Sequence, residues 1–181
     1  MKHREIENRT SGFESSIRGN MRILVTDDQA TIRHAMCLIL KRLGFTDIVE
    51  ADDGYSALNQ LKKGKFDLII SDVHMPAPVP GAPAKSGLDL LEAVRLDPKF
   101  KKVPFLIVSS DADMKTVVKA MQRGVNGYII KPFTEKSVRE KLKMLGFKTR
   151  DPEPEPEPQK SLQKEKPSAV GSDKDFLVTK F

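Results

Sequence analysis

Long apolar runs are what this 181-residue chain most lacks. No stretch approaches the roughly 18–20 residues that a membrane-crossing helix needs. Residues 1–20 are polar and charged and carry no hydrophobic segment of a secretory signal. Cysteine occurs once, at Cys37, which excludes an internal disulfide. In its apolar helical setting that thiol reads as buried and inert rather than reactive. Cys37 and His74 do not make a zinc ligand set. Tryptophan is absent, and no Gly-x-Gly-x-x-Gly follows the first apolar run, which argues against dinucleotide binding. The expectation is a cytoplasmic protein with no membrane insertion.

What is present suffices for one domain of ordinary size plus tails, with 39% hydrophobic residues to fill a core. The net charge of +6 is uneven: residues 1–20 hold +1, the chain from Phe147 onward is neutral, and +5 lies between. Lys62, Lys63, Lys65, Lys101 and Lys102 fall at predicted helix ends and loops and read as solvated surface. Neither a clustered basic stripe nor a DNA-binding motif is visible, so no nucleic acid partner is expected.

Composition divides the chain in three. Residues 1–20 have no sustained apolar period and are predicted to be a disordered extension. Met21 directly precedes the first strand and is a candidate start site. Residues 21–147 alternate strand and helix patterns. Strands are predicted at 22–26, 47–51, 67–71, 103–108 and 126–130, and helices at 30–43, 54–63, 87–96, 112–123 and 134–145. Ile32, Met36, Ile39, Leu40 and Leu43 recur at the helical period, and Gly44 supplies the stop. Ala57, Leu58 and Leu61 mark the inner face of the second helix, with a turn at Asp53-Gly54 before it. Val117, Val118 and Met121 mark the fourth, and Val138, Leu142 and Leu145 the fifth. Five β-α units with short connections predict a doubly wound parallel α/β sheet with helices on both faces.

Residues 148–181 form a Pro/Glu-rich tail. The run Asp151-Pro152-Glu153-Pro154-Glu155-Pro156-Glu157-Pro158 is incompatible with helix and predicts an extended polyproline-II spacer. The chain closes on Phe176, Leu177, Val178 and Phe181, an apolar tip that reads either as a frayed terminus or as a docking motif.

Four apolar runs end in polar groups: ILVTDD at 23–28, LIISD at 68–72, FLIVSS at 105–110 and YIIKPF at 128–133. Ligands of open α/β sheets bind outside the carboxyl ends of the strands. Asp27, Asp28, Asp72, Ser109 and Lys131 should therefore converge. Adjacent acids such as Asp27 and Asp28 can simply cap a helix. With Asp72 added, three crowded carboxylates call for a cation, and Mg2+ suits an all-oxygen site. Asp72 is the candidate nucleophile, since a carboxylate can attack phosphorus and form an aspartyl phosphate. The Lys131 ammonium would balance phosphoryl charge, and the Ser109 hydroxyl would donate to a phosphoryl oxygen. The plainer readings are a surface lysine and a helix-capping serine. Ser110 is small and leaves room for a phosphodonor.

This set on five β-α units resembles response-regulator receiver domains. The segments RILVTDD, ATIRHAM, LKRLGF, EADDGYSALNQLKKGKFDLIISD and GVNGYIIKPFTEKSVREKL are similar to single-domain chemotaxis (CheY-like) members, over roughly 21–147. The resemblance implies a flavodoxin-like strand order 2-1-3-4-5 and Asp72 as phosphoacceptor. It also implies Mg2+ held by Asp27, Asp28, Asp72 and the His74 backbone carbonyl, with Lys131 completing the site. Ser109 would be the switch hydroxyl and Tyr128 the switch aromatic, although Tyr128 also reads as an ordinary half-buried strand residue. The implied partners are a sensor histidine kinase as donor, a protein target such as the flagellar motor switch, and a phosphatase. The implied form is a monomer that catalyses only its own phosphorylation and dephosphorylation. Phosphorylation would switch the face formed by the fourth helix, fifth strand and fifth helix.

The chain departs from the family after Met75-Pro76. Residues 77–86 intervene before Gly87, a Pro/Ala-rich insertion that reads as a tolerated surface loop or as an element tuning kinase or phosphatase access. His74, two positions past Asp72, is expected to alter dephosphorylation. Two alternatives stand beside the switch. One is a phosphorelay intermediate that passes the phosphoryl group to a histidine phosphotransfer protein. The other is a small phosphatase of the haloacid-dehalogenase type, which the adjacent Asp27-Asp28 and the lack of a cap domain disfavour.

Overall fold

The computed structural model describes residues 21–77, 81 and 83–150. The extension 1–20, the tail from 151 with its apolar tip, and residues 78–80 and 82 of the insertion lie outside the described residues.

Strands and helices alternate: β1 (Arg22–Thr26), α1 (Ala30–Arg42), β2 (Asp47–Ala51), α2 (Gly54–Lys63), β3 (Leu68–Ser71), α3 (Gly87–Leu96), β4 (Phe105–Ser109), α4 (Met114–Gln122), β5 (Gly127–Ile130) and α5 (Glu135–Met144). The five strands form one parallel sheet in the order β2-β1-β3-β4-β5, the doubly wound arrangement expected from alternating β-α units.

Period-2 alternation sends neighbouring side chains to opposite faces. Ile23 and Val25 of β1 join Met36, Leu40, Val138 and Leu142, so α1 and α5 cover one face. Leu24, between them, joins Ala57, Leu61, Leu90, Leu91 and Ala120, so α2, α3 and α4 cover the other. Strands buried on both faces need the near-continuous apolar runs seen in the sequence.

Helix ends follow local chemistry. Asp53, Ser86 and Thr134 each close a capping box at the start of α2, α3 and α5, with Ser56, Asp89 and Ser137 reciprocating. Gly44 takes φ +98° after α1, a left-handed conformation that glycine adopts at low cost. β4 begins at Phe105 rather than at Val103 as predicted. Pro104 has no N–H for the ladder, and the Val103 carbonyl accepts from Arg95 Nη1 at 2.9 Å. β5 begins at Gly127, one residue later than predicted; the Asn126 side chain before it ties β4 to α3, its Oδ1 accepting from the Phe105 N–H at 2.8 Å and Arg95 Nη2 at 2.7 Å.

Helix α4 corrects the sequence reading. Its fully buried residue is Ala120, whereas Val118 is 42% and Met121 67% exposed. Met114, Val118 and Met121 share a helix face by their spacing, and that face points to solvent. The packed chain also runs past Phe147, which meets Phe45 edge-on at 6.4 Å. Thr149 is buried, and the Arg150 N–H donates to the Leu43 carbonyl at 2.8 Å. No described helix is long and apolar enough to cross a membrane.

Candidate functional site

The sheet carries its pairing one residue beyond three of its strands, and those extra residues are the charged ones. The Asp27 N–H donates to Ala51 O at 3.2 Å, the Asp72 N–H to Thr26 O at 2.9 Å and the Lys131 N–H to Ser109 O at 2.8 Å. Their side chains are thereby fixed at one edge of the sheet. Lys131 Nζ lies 2.7 Å from Asp27 Oδ2 and 3.3 Å from Asp72 Oδ2. Carboxylate oxygens of Asp27, Asp28 and Asp72 all lie within 4.8 Å of one another. The peptide between Lys131 and Pro132 is cis.

Asp27 and Asp72 are buried, and each keeps one oxygen on a backbone N–H: Gln29 at 2.9 Å for Asp27 and Val73 at 2.7 Å for Asp72. Burial pushes the Asp27 carboxyl above the usual range, with the negative charge of Asp72 adding to it. The Lys131 hydrogen bond and the Gln29 amide pull the other way. Asp28 does not cap α1, whose N-cap is Gln29 without a side-chain cap. Its Oδ1 is instead buried and has no hydrogen-bond partner among the described residues. One ammonium thus serves two carboxylates and the third has an orphaned oxygen, a donor set that fits a hard divalent cation.

Ser109 is fully buried at the end of β4, and its Oγ accepts from the Asp111 N–H at 3.2 Å. The N-cap of α4 is Asp113, not Ser109. The Tyr128 hydroxyl donates to the Asp111 carbonyl at 2.7 Å, and burial raises its phenol while the Ser109 hydroxyl opposes the shift. Ser109 and Tyr128 therefore hold the two backbone groups of one residue. The Asp111 carboxylate accepts from the Asp113 N–H at 2.8 Å and from the Thr116 hydroxyl at 2.7 Å, and lies 3.2 Å from His74 Nε2. These donors, the Asp113 amide foremost, hold its carboxyl below the usual range. The His74 side chain is exposed and turned to Asp111.

Two contributors carried little sequence signal. Arg33 donates through Nη1 to the Asp27 carbonyl at 2.7 Å and through Nε to Glu50 at 2.9 Å, and so braces the acidic pair from α1. Gly87 packs so tightly on the β3 end that a Cβ there would stand 1.8 Å from the Asp72 carbonyl. A cavity of about 510 Å3 opens over Asp72, with Asp28, His74, Ser110, Ala84 and Ser86 in its wall. The described end of the insertion is pinned to α2: the Tyr55 hydroxyl donates to Pro83 O at 3.3 Å and Lys85 Nζ sits 5.4 Å from the Tyr55 ring centre.

Residues 23–143 match the family described as Response regulator receiver domain. The chain is 42% identical over 130 residues to chemotaxis protein CheY-3 of Vibrio cholerae, covering 72% of this chain and 95% of that one. It is 42% identical over 125 residues to chemotaxis protein CheY of Pseudomonas aeruginosa, covering 69% and 95%. Among solved structures, CheY4 of Vibrio cholerae superposes with a TM-score of 0.60 at 28% identity, covering 68% of this chain and 96% of that one.

Proposed function

Since this chain belongs to the response regulator receiver family and is of the CheY type, we propose that it is a two-component switch in chemotaxis, phosphorylated on Asp72 by a histidine kinase. The observation that carries the site assignment is the single Lys131 ammonium shared by Asp27 and Asp72 beside the orphaned oxygen of Asp28. In the transfer, an Asp72 oxygen forms the new O–P bond as the P–N bond to the donor imidazole breaks. The imidazole keeps the electron pair and takes up a proton. Asp27, Asp28, Asp72 and the His74 carbonyl would hold a Mg2+, which would neutralise charge on the phosphoryl oxygens. Asp72 gives up its own charge on esterification, and the phosphoryl group brings up to about two negative charges. Lys131 then balances phosphoryl oxygens instead of a free carboxylate.

The readout follows from the Asp111 peptide. A phosphoryl oxygen that draws the Ser109 hydroxyl away from the Asp111 N–H loosens the residue on which the Tyr128 hydroxyl is held. Two arrangements of Ser109, Asp111 and Tyr128 then set the position of α4, whose Met114, Val118 and Met121 are exposed for a protein target. The shift in population is bounded by the target's differential affinity for the two arrangements.

A partner assay tests this reading. The phosphorylated chain should bind a flagellar motor-switch protein at least tenfold more tightly than the unmodified chain. Met121→Glu should abolish that gain without reducing phosphorylation. Lys131→Ala should retain some labelling but lose the gain. Transfer of the phosphoryl group to a histidine phosphotransfer protein, with no phosphorylation-dependent binding, would identify a relay intermediate instead.

A further inference from the structure

At the opposite end of the sheet from Asp72, where the chain enters β3 and β4, the structure gathers lysines that the sequence scatters. A cavity of about 660 Å3 lies between the carboxyl ends of α2 and α3, rimmed by Lys62, Lys63, Lys65 and Lys99. Its floor is apolar: Leu61 and Phe66 are buried, and Phe100 and Val103 are half-buried. An apolar recess of about 70 Å3 continues from it between the two helices, beneath Leu58 and Ala93.

The four lysines are exposed, and among the described residues none of their ammonium groups lies within 4.0 Å of a carboxylate. The two acids in the wall are otherwise engaged. Asp67 Oδ2 accepts from the Arg22 N–H and Asp97 Oδ1 from the Lys99 N–H, each at 2.8 Å. The helix dipole accounts for Lys62 and Lys63 in the last turn of α2. It does not account for Lys65 and Lys99, which follow helices rather than belong to them, nor for Lys101 and Lys102 on the adjoining loop.

From this juxtaposition we infer that the cavity is a docking site for an acidic peptide segment carrying an apolar anchor. A ring of exposed cations around a concave apolar floor matches carboxylates flanking a buried aliphatic or aromatic side chain. Its volume falls in the usual range for ligand sites, about 300–1,000 Å3. A nucleic acid backbone would instead need a track of charge along an open surface. The site lies at the opposite end of the sheet from Asp72 and shares no lining residue with the phosphorylation site.

The test is an amide NMR titration of the 15N-labelled full chain at low salt, using a capped hexapeptide with a Leu-Phe pair between two flanking glutamates on each side. Shifts should localise to residues 61–66 and 97–103, with the Asp72 and Lys131 amides unmoved. Affinity should fall at least tenfold in Lys65→Glu/Lys99→Glu, whose spectrum elsewhere checks the fold. It should fall as much when the peptide's Leu-Phe becomes Gly-Ser, an arm that needs no variant, and should weaken with added salt. The proposal is overturned by absence of shifts at millimolar peptide, by shifts spread over all basic residues, or by equal binding of the Gly-Ser peptide. It is equally overturned if a ten-nucleotide oligothymidine moves the same amides at lower concentration, which would make the site one for nucleic acid.

Discussion

Asp28 holds an oxygen that is buried and, among the described residues, without a hydrogen-bond partner. An unsatisfied buried charged oxygen is costly, and two further carboxylates stand within 4.8 Å. Removing that charge should relieve the metal-free protein while removing its response to metal, a trade of stability for function. Asp28→Asn should raise the metal-free melting temperature by about 2–4 °C, corresponding to roughly 1 kcal/mol. It should also abolish the further rise that Mg2+ gives the parent. A lower metal-free melting temperature, or an intact Mg2+ response, would remove Asp28 from the cation site. Cys37 illustrates the opposite case, a titratable group kept silent. Burial pushes its thiol up from 9.0 to about 11, with Glu50 adding to the shift. The neutral form is favoured in the folded state, so the thiol's contribution is complete below pH 9 and is lost as pH rises through about 11. Below pH 9 the native protein should carry about a hundredfold less thiolate than the unfolded chain. Disulfide-exchange labelling at pH 8 should therefore be fast in urea and nearly absent without it; equal rates would show the thiol to be accessible.

Among elements, the connection from β3 to α3 sets the phosphoacceptor most tightly. The Gly87 N–H donates to Val73 O at 2.9 Å, and any Cβ at Gly87 would collide with the Asp72 carbonyl. Because the obstacle is backbone, Gly87→Ala should cost about 1–3 kcal/mol, as overpacking typically does, measured by urea unfolding, and should slow labelling of Asp72. Unchanged stability would mean that the strand end yields freely. The sequence shows Gly87 only as the residue after an insertion, since a close backbone approach leaves no local pattern. The turn at Asp53 was legible for the opposite reason, because its cap acts within its own turn, whereas the capping serine and threonine at Ser86 and Thr134 emerge only from the structure. Helix α4 was legible in extent but not in orientation. Val118 and Met121 repeat at helical spacing whether they face the sheet or a partner, and only the packing of Ala120 decides between them. Arg33 escaped notice because its partners, the Asp27 carbonyl and Glu50, come from different strands.

For the whole molecule, function rests on topology. Parallel strands in the order β2-β1-β3-β4-β5 put the carboxyl ends of β1, β3 and β4 side by side, with β5 next to β4. Residues 104 positions apart, Asp27 and Lys131, thereby meet at 2.7 Å. That convergence was legible because a buried strand run followed at once by a polar residue is a local pattern, and the rule for parallel sheets supplies the rest. The network through Asp111 was not, because His74 and Tyr128 reach it from the connection after β3 and from β5, while its local partners Ser109 and Thr116 leave no distinctive pattern. The proposed lysine-rimmed docking site lies at the opposite end of the sheet. The central claim is that the gathered carboxylates, cation and ammonium make Asp72 the phosphoacceptor. Incubation with acetyl phosphate and Mg2+ followed by intact-mass measurement tests it most directly. We expect a gain of one phosphoryl group, dependent on Mg2+ and absent in Asp72→Ala. A gain that survives in Asp72→Ala and disappears only when another acid is replaced would contradict the account.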